Sequence, residues 1–368
     1  MAYTGRSYLI DCSTGGLTGN TNVDVVGSNM MIYPSRNVNL HNGGREKRGG
    51  TSHINKTAVT GTTPKCLGGY DFINLAGTQS RVTAWSTGKI YVDETTEIGT
   101  GLGATDYYSF CQGEDKLFIC DGVNTPRVWT GSGSVAEIDD PASDFSTYPV
   151  IMMCIHGSGN AERMWALTKK GVYASKVGDF EDFTDASVVQ IQIDTGDGFG
   201  LVGMIEFGER LIIFSKRKAY IINDTDTDTA NWGYTTAIWE GGAAHWRLIV
   251  RTPNDIVCMM EDGEVYSVVT AEQYGDYKYG SLTRPSWMHK YIQDYIRLTY
   301  INDFHAIFDP NLRAVKIFSV RSGETVIDTA LVYFIDRGAE SGWIAHDNQS
   351  ASSGYSASAS WLNRKAAG

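Results

Sequence analysis

Residues 209–222 read ERLIIFSKRKAYII. The apolar run from Leu211 to Phe214 is followed by a polar turn, Lys216 to Lys218, and by a second apolar run from Ala219 to Ile222. Two short apolar runs joined by a polar turn predict a β-hairpin. The same form occurs at 81–92 (RVTAWSTGKIYV), 116–129 (KLFICDGVNTPRVW), 163–175 (RMWALTKKGVYAS) and 255–268 (DIVCMMEDGEVYSV). In each, a polar turn that usually holds glycine separates an apolar strand from a second strand that usually carries an aromatic residue.

The spacing of these hairpins gives the architecture. They begin at Arg81, Lys116, Arg163, Glu209 and Asp255, a step of about 45 residues after a shorter first interval. A sixth unit fits 314–334, where VKIFSV and TALVYFI flank the turn RSGET. A supersecondary unit repeating every 40 to 50 residues or so is what a four-stranded propeller blade requires. The expected fold is therefore all-β, a six-bladed β-propeller whose sheets bury one another and expose only short edges. A β-sandwich would also show regular hairpins, but the longer period favours the propeller. No W-D dipeptide, kelch double-glycine pattern or sialidase-type aspartate box marks the blades.

The two ends differ from the middle. Residues 1–64 are rich in Gly, Asn and Thr, with few apolar runs, and predict an irregular arm or platform segment. Residues 65–347 hold the propeller. Residues 348–368 (NQSASSGYSASASWLNRKAAG) are too poor in apolar side chains to fold alone, so this tail is expected to be mobile or ordered by a neighbouring subunit. One amphipathic helix is predicted at 287–298, where Met288, Tyr291, Ile292, Tyr295 and Ile296 share a face.

A chain of 368 residues with 42% hydrophobic and 20% charged residues is a folded protein, not a disordered one. Its 41 glycines and 20 tyrosines suit many tight turns between half-buried strands. The net charge of −11 argues against a protein that grips a nucleic-acid backbone, since that grip needs Lys and Arg on phosphates. It leaves room for a conduit along which DNA slides without sticking. The cysteines Cys12, Cys66, Cys111, Cys120, Cys154 and Cys258 form no C-x-x-C pair, and several lie in apolar runs where a reduced, buried thiol is expected. No secretion signal or membrane-spanning stretch is legible, so synthesis in the cytoplasm is expected.

A search for chemistry yields fragments. His41, His53, His156, His245, His289, His305 and His346 show no metal-ligand spacing. The acidic run Asp224, Asp226, Asp228 resembles the start of a calcium loop but lacks Gly at the sixth position and Glu at the twelfth; it reads as a solvated loop. HGSG at 156–159 is without a nucleophile elbow, and no phosphate loop occurs. The adjacent carboxylates Asp139–Asp140 and Glu181–Asp182 have little weight as a glycosidase pair. The basic cluster GGREKRGG at 43–50 presents Arg45, Lys47 and Arg48, which could touch phosphate or meet the acidic surface of a neighbouring subunit; the interface is favoured. No catalytic residue, cofactor or metal is expected, and the chain is read as a non-enzyme.

Read in order, several segments together resemble the propeller-type tail nozzle or hub proteins of short-tailed bacteriophages. They are PSRNVNLHNGGREKRGGT (34–51), the D-G-x-N-x-P turn in CDGVNTPRVWTG (120–131), and the unit running from Trp165 through GVYAS to GDFEDF. FGERLIIFSKRKAY (207–220), the N-D-I hairpin with DGEVY (254–266), and LVYFIDRGAESGWIAHD (331–347) complete the series. The resemblance implies a homo-oligomeric ring, of six copies, in the virion tail. That ring would extend the DNA channel below the portal and adaptor, retain the genome, and conduct it during ejection. Its implied partners are copies of itself, other tail proteins (adaptor, fibres or needle) and viral DNA bound without sequence specificity. Arg45, Lys47, Arg48, Asp224, Asp226 and Asp228 are the candidates for subunit interface or channel wall. A propeller-fold carbohydrate-active enzyme and an intracellular propeller scaffold are the competing readings.

Overall fold

A computed structural model describes residues 15–20, 30–32, 35–40, 45–48, 59, 61, 64–139, 144–157, 161–237, 241–268, 280–347 and 357–362. Cys12, His41, His53, Asp140 and the last two residues of HGSG lie outside them. The described strands include six four-stranded antiparallel sheets, each built from four consecutive strands, which make a six-bladed β-propeller. Two short strands, β1 (Val38–Asn39) and β2 (Glu46–Lys47), pair in the N-terminal segment.

The blades begin with β3 (Cys66–Ile73), β7 (Ser109–Gly113), β11 (Met152–His156), β15 (Leu201–Phe207), β19 (Ile249–Arg251) and β23 (His305–Asp309). These first strands pack against one another in turn and line the axis. The hairpins legible in the sequence are the second and third strands, such as β16 (Arg210–Ser215) with β17 (Ala219–Asn223). The fourth strands form the rim and reach β26 (Trp343–Asp347) in blade 6.

The apolar runs are continuous because both faces of a blade are buried, so side chains pointing either way meet a neighbouring sheet. In the run at 211–214, Leu211 and Ile213 pack toward blade 3, whereas Ile212 and Phe214 pack toward blade 5. Likewise Met164 and Ala166 serve the junction of blades 2 and 3, and Trp165 and Leu167 that of blades 3 and 4. Five apolar clusters result, one for each junction from blade 1 to blade 6. Among the described residues no such cluster spans the sixth junction, between blade 6 and blade 1.

The predicted helix is present as Met288–Tyr295, between blades 5 and 6, with Met288, Tyr291 and Ile292 buried. It seats Ile292 over Gly263, whose φ of +87° forms the turn of blade 5; a Cβ there would meet the Ile292 side chain at 2.6 Å. No helix among the described residues is long and apolar enough to cross a membrane.

The N-terminal segment is bound to the outside of blade 6. Asn37 N–H donates to the Ala345 carbonyl, Asp347 N–H donates to the Asn37 side chain at 2.9 Å, and Arg36 pairs with Asp347 at 2.6 Å. Leu17, Met31 and Leu40 join the apolar cluster of blades 5 and 6. The arm thus covers the exposed edge of the last sheet.

Candidate functional site

At the sixth junction, near the axis, lies a bonded group of polar side chains. Lys65, just before β3, reaches the Tyr107 hydroxyl at 2.5 Å and Asp303 Oδ1 at 3.1 Å. Tyr107 donates to the same carboxylate oxygen at 2.5 Å. Arg247 lies over the Tyr107 ring, 3.5 Å from its centre, and donates to the Asp303 carbonyl at 3.2 Å. These residues come from the approaches to blades 1, 2, 5 and 6, so the cluster ties four blades at the mouth of the axis.

The charge states follow from the geometry. Burial pushes Asp303 up, but hydrogen bonds from Tyr107 and Lys65 outweigh it and hold the carboxyl below its ordinary value. Burial pushes Lys65 down, and its bonds to Tyr107 and Asp303 more than offset this. Tyr107 is raised, chiefly by burial, and stays a protonated donor. Burial and the nearby Arg247 push His245 down to about 3, and burial lifts the Cys66 thiol to about 11. At neutral pH the group is a fixed Lys65–Asp303 ion pair, with the neutral Tyr107 hydroxyl and the cationic Arg247 guanidinium as donors beside it.

Beside the cluster opens a cleft of about 650 Å³ between Lys65, Trp85, Asp303, Val326, Ile327 and Ser358. A smaller cavity of about 180 Å³ lies among Gly68, Gly69, Ser109, Trp246, Arg247 and His305. Two residues of the C-terminal segment, Ala359 and Ser360, complete its wall. The sequence predicted a tail that is mobile or held by a neighbour. Its described residues, 357–362, rest on the chain's own inner strands.

The residues singled out from the sequence fall into two separate groups. Arg45, Lys47 and Arg48 lie on or beside β2 in the arm, next to blade 6. Arg45 donates to the Gly15 carbonyl at 2.6 Å, the Arg48 backbone N–H bonds Asn37, and the Lys47 side chain is exposed. Asp224, Asp226 and Asp228 lie two blades away, in the loop before the last strand of blade 4. Asp224 faces His156 Nε2 at 3.1 Å. Asp226 accepts from Asp228 N–H and from Asn231, and Asp228 caps the turn at Thr229–Asn231. The structure does not bring the two groups together.

Other sequence fragments have structural roles. Asp121 of the D-G-x-N-x-P turn is buried and accepts from the backbone N–H groups of Gly103, Val123 and Asn124 and from the Asn124 amide. These bonds outweigh the effect of burial and hold its carboxyl below the ordinary value. Phe180 and Phe183 of GDFEDF fill the core between blades 2 and 3. Glu181 pairs with Lys116 at 2.5 Å, and Asp182 accepts from Thr184, so this carboxylate pair is engaged in the loop. Among the described residues no two cysteines are joined by a disulfide, and no group of three His, Cys, Asp or Glu side chains could hold a metal ion.

Lys65, Tyr107, His245, Arg247 and Asp303 were not legible in the sequence. Tyr107 and Asp303 are 196 residues apart, and neither lies in a motif. The only local signal is an arginine beside two aromatic side chains in HWR, at 245–247.

No protein-family model matches the chain, and no curated protein matches it in sequence. Solved structures do resemble it in shape. The N-terminal part of BBS1, solved in complex with ARL6, aligns over 78% of this chain and 80% of that one, at 11% identity and a TM-score of 0.46. The β-propeller domain of Cps50 (Swd1) from Myceliophthora thermophila aligns over 74% and 83%, at 10% identity and a TM-score of 0.42. BamB from Moraxella catarrhalis aligns over 77% and 84%, at 10% identity and a TM-score of 0.39. None of the three is a phage tail protein, and a likeness this distant concerns architecture alone. The chain is a six-bladed β-propeller by its own six sheets.

Proposed function

We propose that this chain is a structural component of a bacteriophage virion. It acts as a tail nozzle or hub subunit, assembling with copies of itself into a ring that extends the DNA channel, retains the genome and conducts it during ejection. The reading is carried by the order of segments between residues 34 and 347 that resembles such proteins. It takes the chain to be non-enzymatic, its work being contact and passage.

Two physical points support it. A net charge of −11 repels DNA, and at physiological salt this acts only within about 8 Å, which lowers friction at a wall without gripping the strand. Residues 357–362 rest on the inner strands, so a DNA path belongs between copies in the ring and not along the axis of one propeller. Lys47, exposed on the arm, is then placed to meet an acidic neighbour.

Electron microscopy of the purified protein and of particles containing it tests the reading. Rings of copies with a central opening, located in the tail, are expected. A protein that stays monomeric at high concentration and cleaves bacterial polysaccharide would sink it in favour of a depolymerase.

A further inference from the structure

In each blade four consecutive strands pair, so among the described residues no strand from one end of the chain completes a sheet at the other. The ring must therefore close by contacts other than a shared sheet. Five junctions close on apolar clusters. The sixth lacks one among the described residues, and β23 and β3 do not pack together as the other neighbouring inner strands do.

The C-terminal segment lies at this junction. The Arg247 guanidinium, on the blade 5 side, donates to the Ser358 carbonyl at 2.5 Å. Three residues on, the Trp361 indole N–H donates to Asp71 Oδ1 at 3.3 Å, on the inner strand of blade 1. Asp71 is buried and is already oriented by Gln79, at 3.0 Å, and Arg81, at 3.5 Å. The Trp361 ring lies flat on Gly69: a Cβ there would come within 2.7 Å of two ring carbons. The bare glycine in β3 makes the seat, and no other side chain would leave room for the indole.

We propose that the mouth of the axis is a peptide-binding site whose ligand is the chain's own segment 357–362. Bound there, the segment ties the blade 5 side of the mouth to blade 1 and lies across the polar junction of blades 6 and 1, beside Ala306. Recognition has three parts: a guanidinium for one backbone carbonyl, a glycine floor for an aromatic ring, and a carboxylate for its N–H. An extended peptide of small residues ending in tryptophan satisfies all three. The inference stands apart from the tail reading, because it concerns closure of one subunit.

The test uses the full chain, with a protease site introduced between residues 349 and 355 and cut after folding. The released C-terminal fragment should stay bound through gel filtration, and excess synthetic peptide of residues 357–368 should displace it. With Trp361→Ala the fragment should leave roughly tenfold faster or more, the least expected of a buried tryptophan anchor. Gly69→Ala, which crowds the same seat without touching the segment's sequence, should do likewise. Combined with Trp361→Ala it should add little further, since both act on one contact. If the wild-type fragment departs at once with no drop in melting temperature, the latch is wrong. Additive effects of the two substitutions would also overturn it, because the seat would then be two unrelated sites.

Discussion

The junction of blades 3 and 4 and the junction of blades 6 and 1 solve the same problem with opposite chemistry. At the first, Trp165 is fully buried, stacks on Trp232 at 5.8 Å between ring centres, and sits among Leu167, Leu211 and Ile213. At the second, a lysine, a tyrosine, an arginine and an aspartate are bonded in one network, with the C-terminal segment laid over them. The apolar junction needs only that water be expelled. The polar one needs several side chains in register, and each is costly to leave without its partner. Among the described residues, this propeller has an apolar cluster at five junctions and a bonded polar network at the sixth.

Four measurements would break or sharpen this contrast. The largest effect belongs to the apolar side. Trp165→Ala should lower unfolding stability by about 3–5 kcal/mol in denaturant titration, the range for emptying a large aromatic site. Arg247→Met should cost less, about 1–2 kcal/mol, because the methionine keeps part of the packing while the Asp303 and Ser358 carbonyls lose a charged donor. A larger loss for Arg247→Met than for Trp165→Ala would reverse the ranking of the two junctions.

The third is a pH series. His245 is held down to about 3, so the unfolded chain takes up its proton first as the pH falls below 6.5. Stability should therefore decline from pH 6.5 downward. Asp303 is held below its ordinary value of 3.8, so its stabilisation is full above that value and is lost as the pH falls through the folded one. Asp303→Asn should be less stable than the parent at pH 7, and the gap should close only below pH 3.8. A gap that is constant with pH would mean that the carboxylate charge is idle at this junction. The smallest effect is expected at Lys47→Ala, within about 0.5 kcal/mol in the isolated subunit. Under the proposed function the same change should weaken assembly, measured by light scattering.

The sequence was most readable where the structure is most buried. RMWAL, at 163–167, is buried at every position, as is TALVYF, at 329–334, so apolar runs marked the second and third strands of the blades. First and fourth strands were less legible, since SFCQG lines the axis half-exposed and TEIG lies on the rim. Their patterns are diluted by turns and solvent. The acidic loop at 224–228 could be read as a solvated loop because Asp226 and Asp228 bond locally, within a few residues, although Asp224 reaches across to His156. The network at the sixth junction could not, because its members come together only when the ring closes.

The amino-acid sequence by itself determined the middle hairpin of each blade, the number of blades and the all-β class. A run that must bury both faces has to be apolar at every position, and the spacing of such runs counts the blades. It also determined the helix at Met288–Tyr295, through the period of its apolar residues. Only the tertiary structure decided where the two polar ends of the chain go. The arm docks on the rim of blade 6 and the described part of the tail enters the mouth of the axis, through bonds such as Arg36–Asp347 and Trp361–Asp71. Such bonds join residues about 300 positions apart. They leave no period or local pattern in the sequence, because their geometry exists only after the blades have been set around a common axis.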